Sequence, residues 1–133
     1  LSQEERPQTA LYSGKDRQDQ CLIYMIQVTI LRDRDKNTRG IEIDGHAGYG
    51  EYGQDILCAA VSALALNMAN SVEQFTDDSY EGSAGEEGGR FSFSFPDEIS
   101  SESQLLLNSL ILGLTAIRDE YGAEYINFRY REV

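Results

Sequence analysis

Between Ile56 and Leu66 the chain reads Ile-Leu-Cys-Ala-Ala-Val-Ser-Ala-Leu-Ala-Leu, apolar on almost every side of a helix. Such a helix has to be covered on more than one side, so the rest of the chain must supply packing surfaces for it. The spacing predicts a helix from Ile56 to about Phe75, with Asp55 as its N-cap and Thr76-Asp77-Asp78 ending it.

The covering surfaces are legible on both sides. Ile26, Val28 and Ile30 alternate with Gln27, Thr29 and Leu31, the pattern of a half-buried strand. A charged turn over residues 33–38 leads to a returning strand at Gly40-Ile41-Glu42-Ile43-Asp44. After the helix, Ser79-Tyr80-Glu81-Gly82 reads as a weak strand and Gly85-Glu86-Glu87-Gly88-Gly89 as a turn. Arg90 to Phe95 alternates with three phenylalanines on one face, and Pro96 stops it. Ser100 or Ser101 caps a second helix, and Ser101 with Gln104 fits a capping box. Leu106, Leu107, Leu110, Ile111, Leu114 and Ile117 form its apolar face, Gly122 ends it, and residues 125–130 make a last strand.

The order β-β-α-β-β-α-β predicts an α+β fold, an antiparallel or mixed sheet with two helices packed on one face. Residues 1–24 are polar and aperiodic, and Met25 stands just before the first strand pattern. They are expected to be a disordered leader or upstream extension, with one domain over 25–133.

Composition narrows the function classes. The 133 residues suit one domain, with 41% hydrophobic and 26% charged residues. No uninterrupted apolar run approaches the roughly 20 residues that span a bilayer, so no membrane association is expected. Two cysteines make no disulfide framework, and a reducing cytoplasm is the simplest location. The net charge of −12 disfavours direct nucleic-acid binding and steers a basic partner inward. It is equally a common solubility device.

The chemistry concentrates in one segment. Gly45-His46-Ala47-Gly48-Tyr49 and Gly53-Gln54-Asp55-Ile56-Leu57-Cys58-Ala59-Ala60-Val61-Ser62-Ala63 carry the only histidine and one of the two cysteines, thirteen residues apart counted inclusively. With Asp55 as the cap, Cys58 falls at N3, where unpaired amides and the macrodipole favour a thiolate. The same amides can donate to an oxyanion. His46, at the end of the second strand, reaches Cys58 if the loop folds back, and then serves as general base and acid. Asp55 either orients His46 or only caps the helix. Ser62, one turn beyond Cys58, bonds the sulfur or histidine, or else its own backbone. Gly45, Gly48, Tyr49, Gly50, Tyr52 and Gly53 form a glycine-rich loop expected to gate substrate; the two tyrosines equally suit packing the loop down. A lone buried cysteine is ordinarily inert; its pairing with histidine across this loop is what points to catalysis. One histidine and two cysteines make a poor zinc set, and no cofactor is expected. The loop lacks the Gly-Lys-Ser/Thr of a phosphate site.

This motif resembles the ribosomal-processing cysteine protease family of bacteria, Prp, over residues 25 to about 131, including the Gly88-Gly89 pair and the late leucine-rich helix. His46 and Cys58 match that family's catalytic dyad, and Asp55 and Ser62 its neighbouring polar positions. The resemblance implies helices on one side of a sheet, a homodimer, and a cysteine endopeptidase. It also implies the substrate: a basic large-subunit ribosomal protein whose N-terminal extension is removed, exposing the mature end near the peptidyl-transferase centre. The alternative is a non-enzymatic module that binds a ribosomal protein or aids ribosome assembly. A cysteine acyltransferase or deamidase would share the dyad and differ in acceptor.

Overall fold

A computed structural model describes residues 25–45, 52–84 and 90–133, without the side chains of 52–55. Its elements are β1 (Ile26–Arg32), β2 (Thr38–Asp44), α1 (Tyr52–Phe75), β3 (Glu81–Ala84), β4 (Arg90–Ser94), α2 (Ser101–Tyr121) and β5 (Ile126–Glu132). The predicted order is the observed one. The sheet is mixed, ordered β3-β4-β2-β1-β5, with β5 parallel to β1 and the other pairs antiparallel. The parallel pair follows from α2, which crosses the sheet between β4 and β5.

Alternation sorts the core-facing residues, but β1 is not the half-buried strand predicted: Thr29 and Leu31, on its other side, are 3% and 6% exposed, because β1 lies inside the sheet between β2 and β5. Val28 faces Ile43 and Phe128 across its two neighbours, and Ile30 faces Ile41 and Tyr130. Val28, Ile30, Ile41 and Ile43 join Leu57, Val61, Ala65, Met68 and Val72 of α1, and Leu107, Leu110 and Leu114 of α2, in one core, with Phe128 packed against it and Tyr130 left exposed. Both helices therefore cover one face. The opposite face is polar, with Asn127 donating to Gln27 at 3.0 Å, Arg129 to Thr29 at 2.9 Å and Arg131 to Glu42 at 2.8 Å.

By length and composition alone, helix α1 is apolar enough over Ile56–Phe75 to cross a membrane. Here it is a core helix: Leu57, Val61, Ala65, Met68 and Val72 recur at spacings of three and four and are buried. It is nevertheless covered less completely than its composition demands. Ile56 and Leu66 remain about half exposed, and Ala59 and Ala63 between them are exposed too.

Three local readings change. The strand predicted at Ser79–Gly82 lies two residues later, because Tyr80 lies flat on Phe93, with centroids 4.8 Å apart, instead of entering the ladder. Helix α2 is capped by Ser100, whose Oγ accepts from Ser103 N at 3.1 Å. The capping box between Ser101 and Gln104 does not form. Its reciprocal acceptor comes instead from across the fold: Asp78 Oδ2 accepts from Ser100 N at 3.0 Å and Ser100 Oγ at 2.6 Å. The third change is the start of α1, taken up below. Gly122 ends α2 as predicted, with φ 114° and its N–H on Arg118 O.

These bonds, from the Ser100 hydroxyl first and then Ser103 and the Ser100 amide, hold the Asp78 carboxyl below its ordinary value of 3.8. A depressed folded-state value contributes stability that is present above the ordinary carboxylate range and lost as pH falls through the folded value. Asp78→Asn should therefore melt lower than wild type at pH 7, with the gap closing on acidification below about pH 4. Ser100→Ala should cost about 1 kcal/mol, the usual worth of an N-cap. Thermal melts over pH 3–7 check both; a gap for Asp78→Asn that widens toward low pH contradicts the account.

Candidate active site

Strand β2 carries the chain to one end of the sheet. There Asp44 pairs in register with Arg90, the first residue of β4, and their charged groups lie 4.0 Å apart. Both side chains are mostly exposed, so the pair stabilises little. The next residue has to be glycine for a steric reason: a Cβ on Gly45 would lie 2.8 Å from the Ile26 Cα. The chain thus leaves the sheet tight against β1. His46 follows directly, and only residues 46–51 separate Gly45 from the start of α1. His46, Gly48, Tyr49 and Gly50 lie outside the described residues, as does the turn predicted at 85–89.

Helix α1 begins at Tyr52, four residues earlier than the sequence pattern gives. Tyr52 and Gly53 are therefore in its first turn and not in the loop. A glycine inside a helix costs about 1 kcal/mol, which a helix of 24 residues with a buried face absorbs. Asp55 lies inside the helix and cannot be its N-cap. Cys58 is six residues past the first helical residue, not at N3. At 1.5 Å per residue that is about 9 Å from the helix start, beyond the first-turn amides and most of the macrodipole's reach. The helix end is a weaker activator of this thiol than the sequence pattern implied.

The surroundings of Cys58 are those of a boundary. It is 7% exposed and belongs to the core, with Leu57 and Val61 buried beside it. Its neighbours on the other flank, Ala59 and Ser62, are exposed. The sulfur thus sits where the buried stripe of α1 meets the surface. Helical spacing puts Asp55 three residues before Cys58 and Ser62 four residues after, so all three share one face. Among the described residues, no three His, Cys, Asp or Glu side chains gather as a metal site would require.

Comparison with known proteins gives a consistent answer. The family model for cysteine protease Prp matches residues 25–127. The chain is 38% identical over 101 residues to the ribosomal processing cysteine protease Prp of Bacillus subtilis, covering 73% of this chain and 90% of that protein. Two solved structures are similar over 80% of this chain and 100% of theirs. Both are of the essential ribosomal processing protease Prp from S. aureus. One is in complex with a substrate peptide, at 32% identity and a TM-score of 0.73. The other is in complex with a covalently linked product peptide, at 33% identity and a TM-score of 0.71. Matched by the family model over most of its length, and close in sequence and fold to these relatives, the chain belongs to the Prp family of cysteine proteases.

Proposed function

We propose that this protein is a cytoplasmic endopeptidase that uses a Cys58–His46 dyad to remove the N-terminal extension of a large-subunit ribosomal protein. The observation that carries this reading is the place of Cys58, at the border of the core. It lies on the helix that follows β2 in the chain, with residues 46–51 between Gly45 and that helix and His46 the first of them in sequence. A covalently linked product peptide in the S. aureus relative supports a nucleophilic route. The net charge of −12 suits a basic protein substrate and opposes direct contact with RNA.

The chemistry runs in two halves. His46 takes the proton from the Cys58 thiol, and the sulfur attacks the scissile carbonyl carbon to form a C–S bond. The tetrahedral oxyanion collapses, the C–N bond breaks, and the imidazolium returns the proton to the leaving amine. A water, deprotonated by His46, then attacks the thioester. The C–S bond breaks and releases the extension as a carboxylic acid, and the thiol is restored. With Asp55 inside the helix on the face of Cys58, its role is to orient His46. Ser62, exposed on the same face, donates to the dyad. Co-incubation with an extension-bearing large-subunit ribosomal protein should yield two products whose masses sum to the substrate plus one water. A chain starting at Met25 should do the same, since the domain is 25–133. An uncut substrate contradicts the assignment.

The segment between Gly45 and Tyr52 admits the substrate, with Gly48, Tyr49 and Gly50 at the centre of the gate. Alanine at both Gly48 and Gly50 should lower turnover with no change in melting temperature; unchanged turnover removes the gate.

The apolar residues left open on the helices support a homodimer. Ile56, Ala59, Ala63 and Leu66 recur along α1 at spacings of three and four, and Leu105 and Leu112 of α2 are 69% and 71% exposed. Leu112→Arg should shift the mass measured by light scattering from two chains to one. A wild-type protein that is already monomeric contradicts the dimer.

A further inference from the structure

The two flanks of α1 face different neighbours. Leu64 meets α2, where a Cβ on Gly113 would lie 3.0 Å from the Leu64 Cδ1. At 3.6 residues per turn, Cys58 lies about 120° round the helix from Leu64. The buried Leu57, Val61, Met68 and Val72 fall between them. Cys58 is therefore on the flank turned away from α2. Glu73 is on that flank too, about 60° from Cys58, and it receives the hydroxyl of Tyr80, which leads into β3. The flank of the thiol thus looks over β4 and the edge strand β3.

Strand β3 leaves that part of the sheet low. Gly82 and Ala84 pair with Phe93 and Phe91 and share their core-facing side, and neither side chain is larger than a methyl group. Phe93 is covered all the same, at 1% exposure. Tyr80 stacks on it, and its ring leans over Gly82, where a Cβ would lie 3.2 Å from the ring. Phe91 is only partly buried, opposite the exposed Ala84. It also pairs with Ile43, at the end of the sheet where the chain leaves through Gly45 for His46. A partly open aromatic ring thus lies at the site end of the sheet, on the side of α1 that carries Cys58.

We propose that Phe91 is the floor of a subsite that selects an apolar side chain beside the scissile bond, with Ala84 leaving the room for it. The substrate runs extended along the Cys58 flank of α1, over β3. An aliphatic or aromatic side chain placed there takes its own surface and the open face of the Phe91 ring out of water. A charged side chain would lose its hydration against an apolar floor and is refused. Pockets of this kind are mostly apolar, with a few polar groups fixing orientation. The inference deepens the protease reading and rests on Cys58 as the nucleophile.

The test uses a parent peptide spanning the cleavage junction of the extension-bearing ribosomal protein. In a companion set, each apolar residue within two positions of the scissile bond is replaced in turn by alanine. With wild-type enzyme, one of these replacements should lower kcat/KM by roughly tenfold or more, the worth of a few methylenes in an apolar pocket. Phe91→Ala should lower kcat/KM by a similar factor on the parent peptide and change it little on that alanine peptide. Ala84→Tyr, at an exposed strand position, should act in the same way by filling the subsite. Should Phe91→Ala fail to fold, Ala84→Tyr decides alone. Equal losses on the parent and alanine peptides, or no loss on the parent, overturn the proposal. So does a wild-type enzyme that cuts every alanine peptide as fast as the parent. Failure of the protease reading shows separately, as a wild-type enzyme that leaves the parent peptide uncut.

Discussion

Cys58→Ala is expected to abolish cleavage, with turnover falling by roughly 10⁴-fold or more, because no other group can form the acyl bond. The fold should survive. Cys58 lies at the edge of the core, 7% exposed, with the exposed Ala59 and Ser62 on one flank, so the vacated space opens toward the surface. A cooperative melt near the wild-type temperature separates lost chemistry from lost structure. Cys58→Ser keeps the shape and should be as inactive at neutral pH, because a hydroxyl is the poorer nucleophile. Cys21→Ala should leave the rate unchanged. Wild-type turnover by Cys58→Ala would remove the protease assignment for this residue.

His46→Ala should lower the rate by roughly 10²–10⁴, the usual worth of a positioned acid–base group. The structure sharpens what accompanies that loss. Were Cys58 in the first turn of α1, the helix end would keep part of the thiolate without the histidine. With α1 starting at Tyr52 and Cys58 about 9 Å along it, the proposed dyad leaves most of the activation to the imidazole. Alkylation of Cys58 by iodoacetamide at pH 7 should therefore slow together with turnover. Alkylation unchanged beside a large loss of turnover would return the activating role to the helix.

The sequence and the structure agree where one residue's fate follows from its immediate pattern. The alternation of Ile26, Val28 and Ile30, the phenylalanines of β4 and the leucine face of α2 are burial patterns, and burial is what the fold delivers. Gly122 declares its own positive φ. The readings that moved depend on groups distant in sequence. Of the two serines that could cap α2 it is Ser100, and the Ser101–Gln104 capping box gives way to Asp78, 22 residues earlier, which accepts from Ser100; no window around Ser100 shows that partner. The start of α1 is hidden by its own composition: Gly53 reads as loop, and Asp55 is a favourable cap residue. A long helix with a buried face overrides both preferences.

For the site, residue types and spacing brought His46, Asp55, Cys58 and Ser62 forward. The structure puts Asp55 inside α1, three residues before Cys58, instead of ahead of the helix as its cap. In the sequence Asp78 only helps end α1, and the fold makes it the acceptor for Ser100.

The account stands most directly on the covalent bond it assigns to Cys58. Wild-type protein mixed with the extension-bearing ribosomal protein, quenched in acid within one turnover and mapped by mass spectrometry, reads that bond. The account predicts the extension attached through its new C-terminal carbonyl to Cys58, with none on Cys21 and none in the Cys58→Ala protein. Processed product that forms with Cys58 unmodified throughout, or with the adduct on another residue, would contradict it.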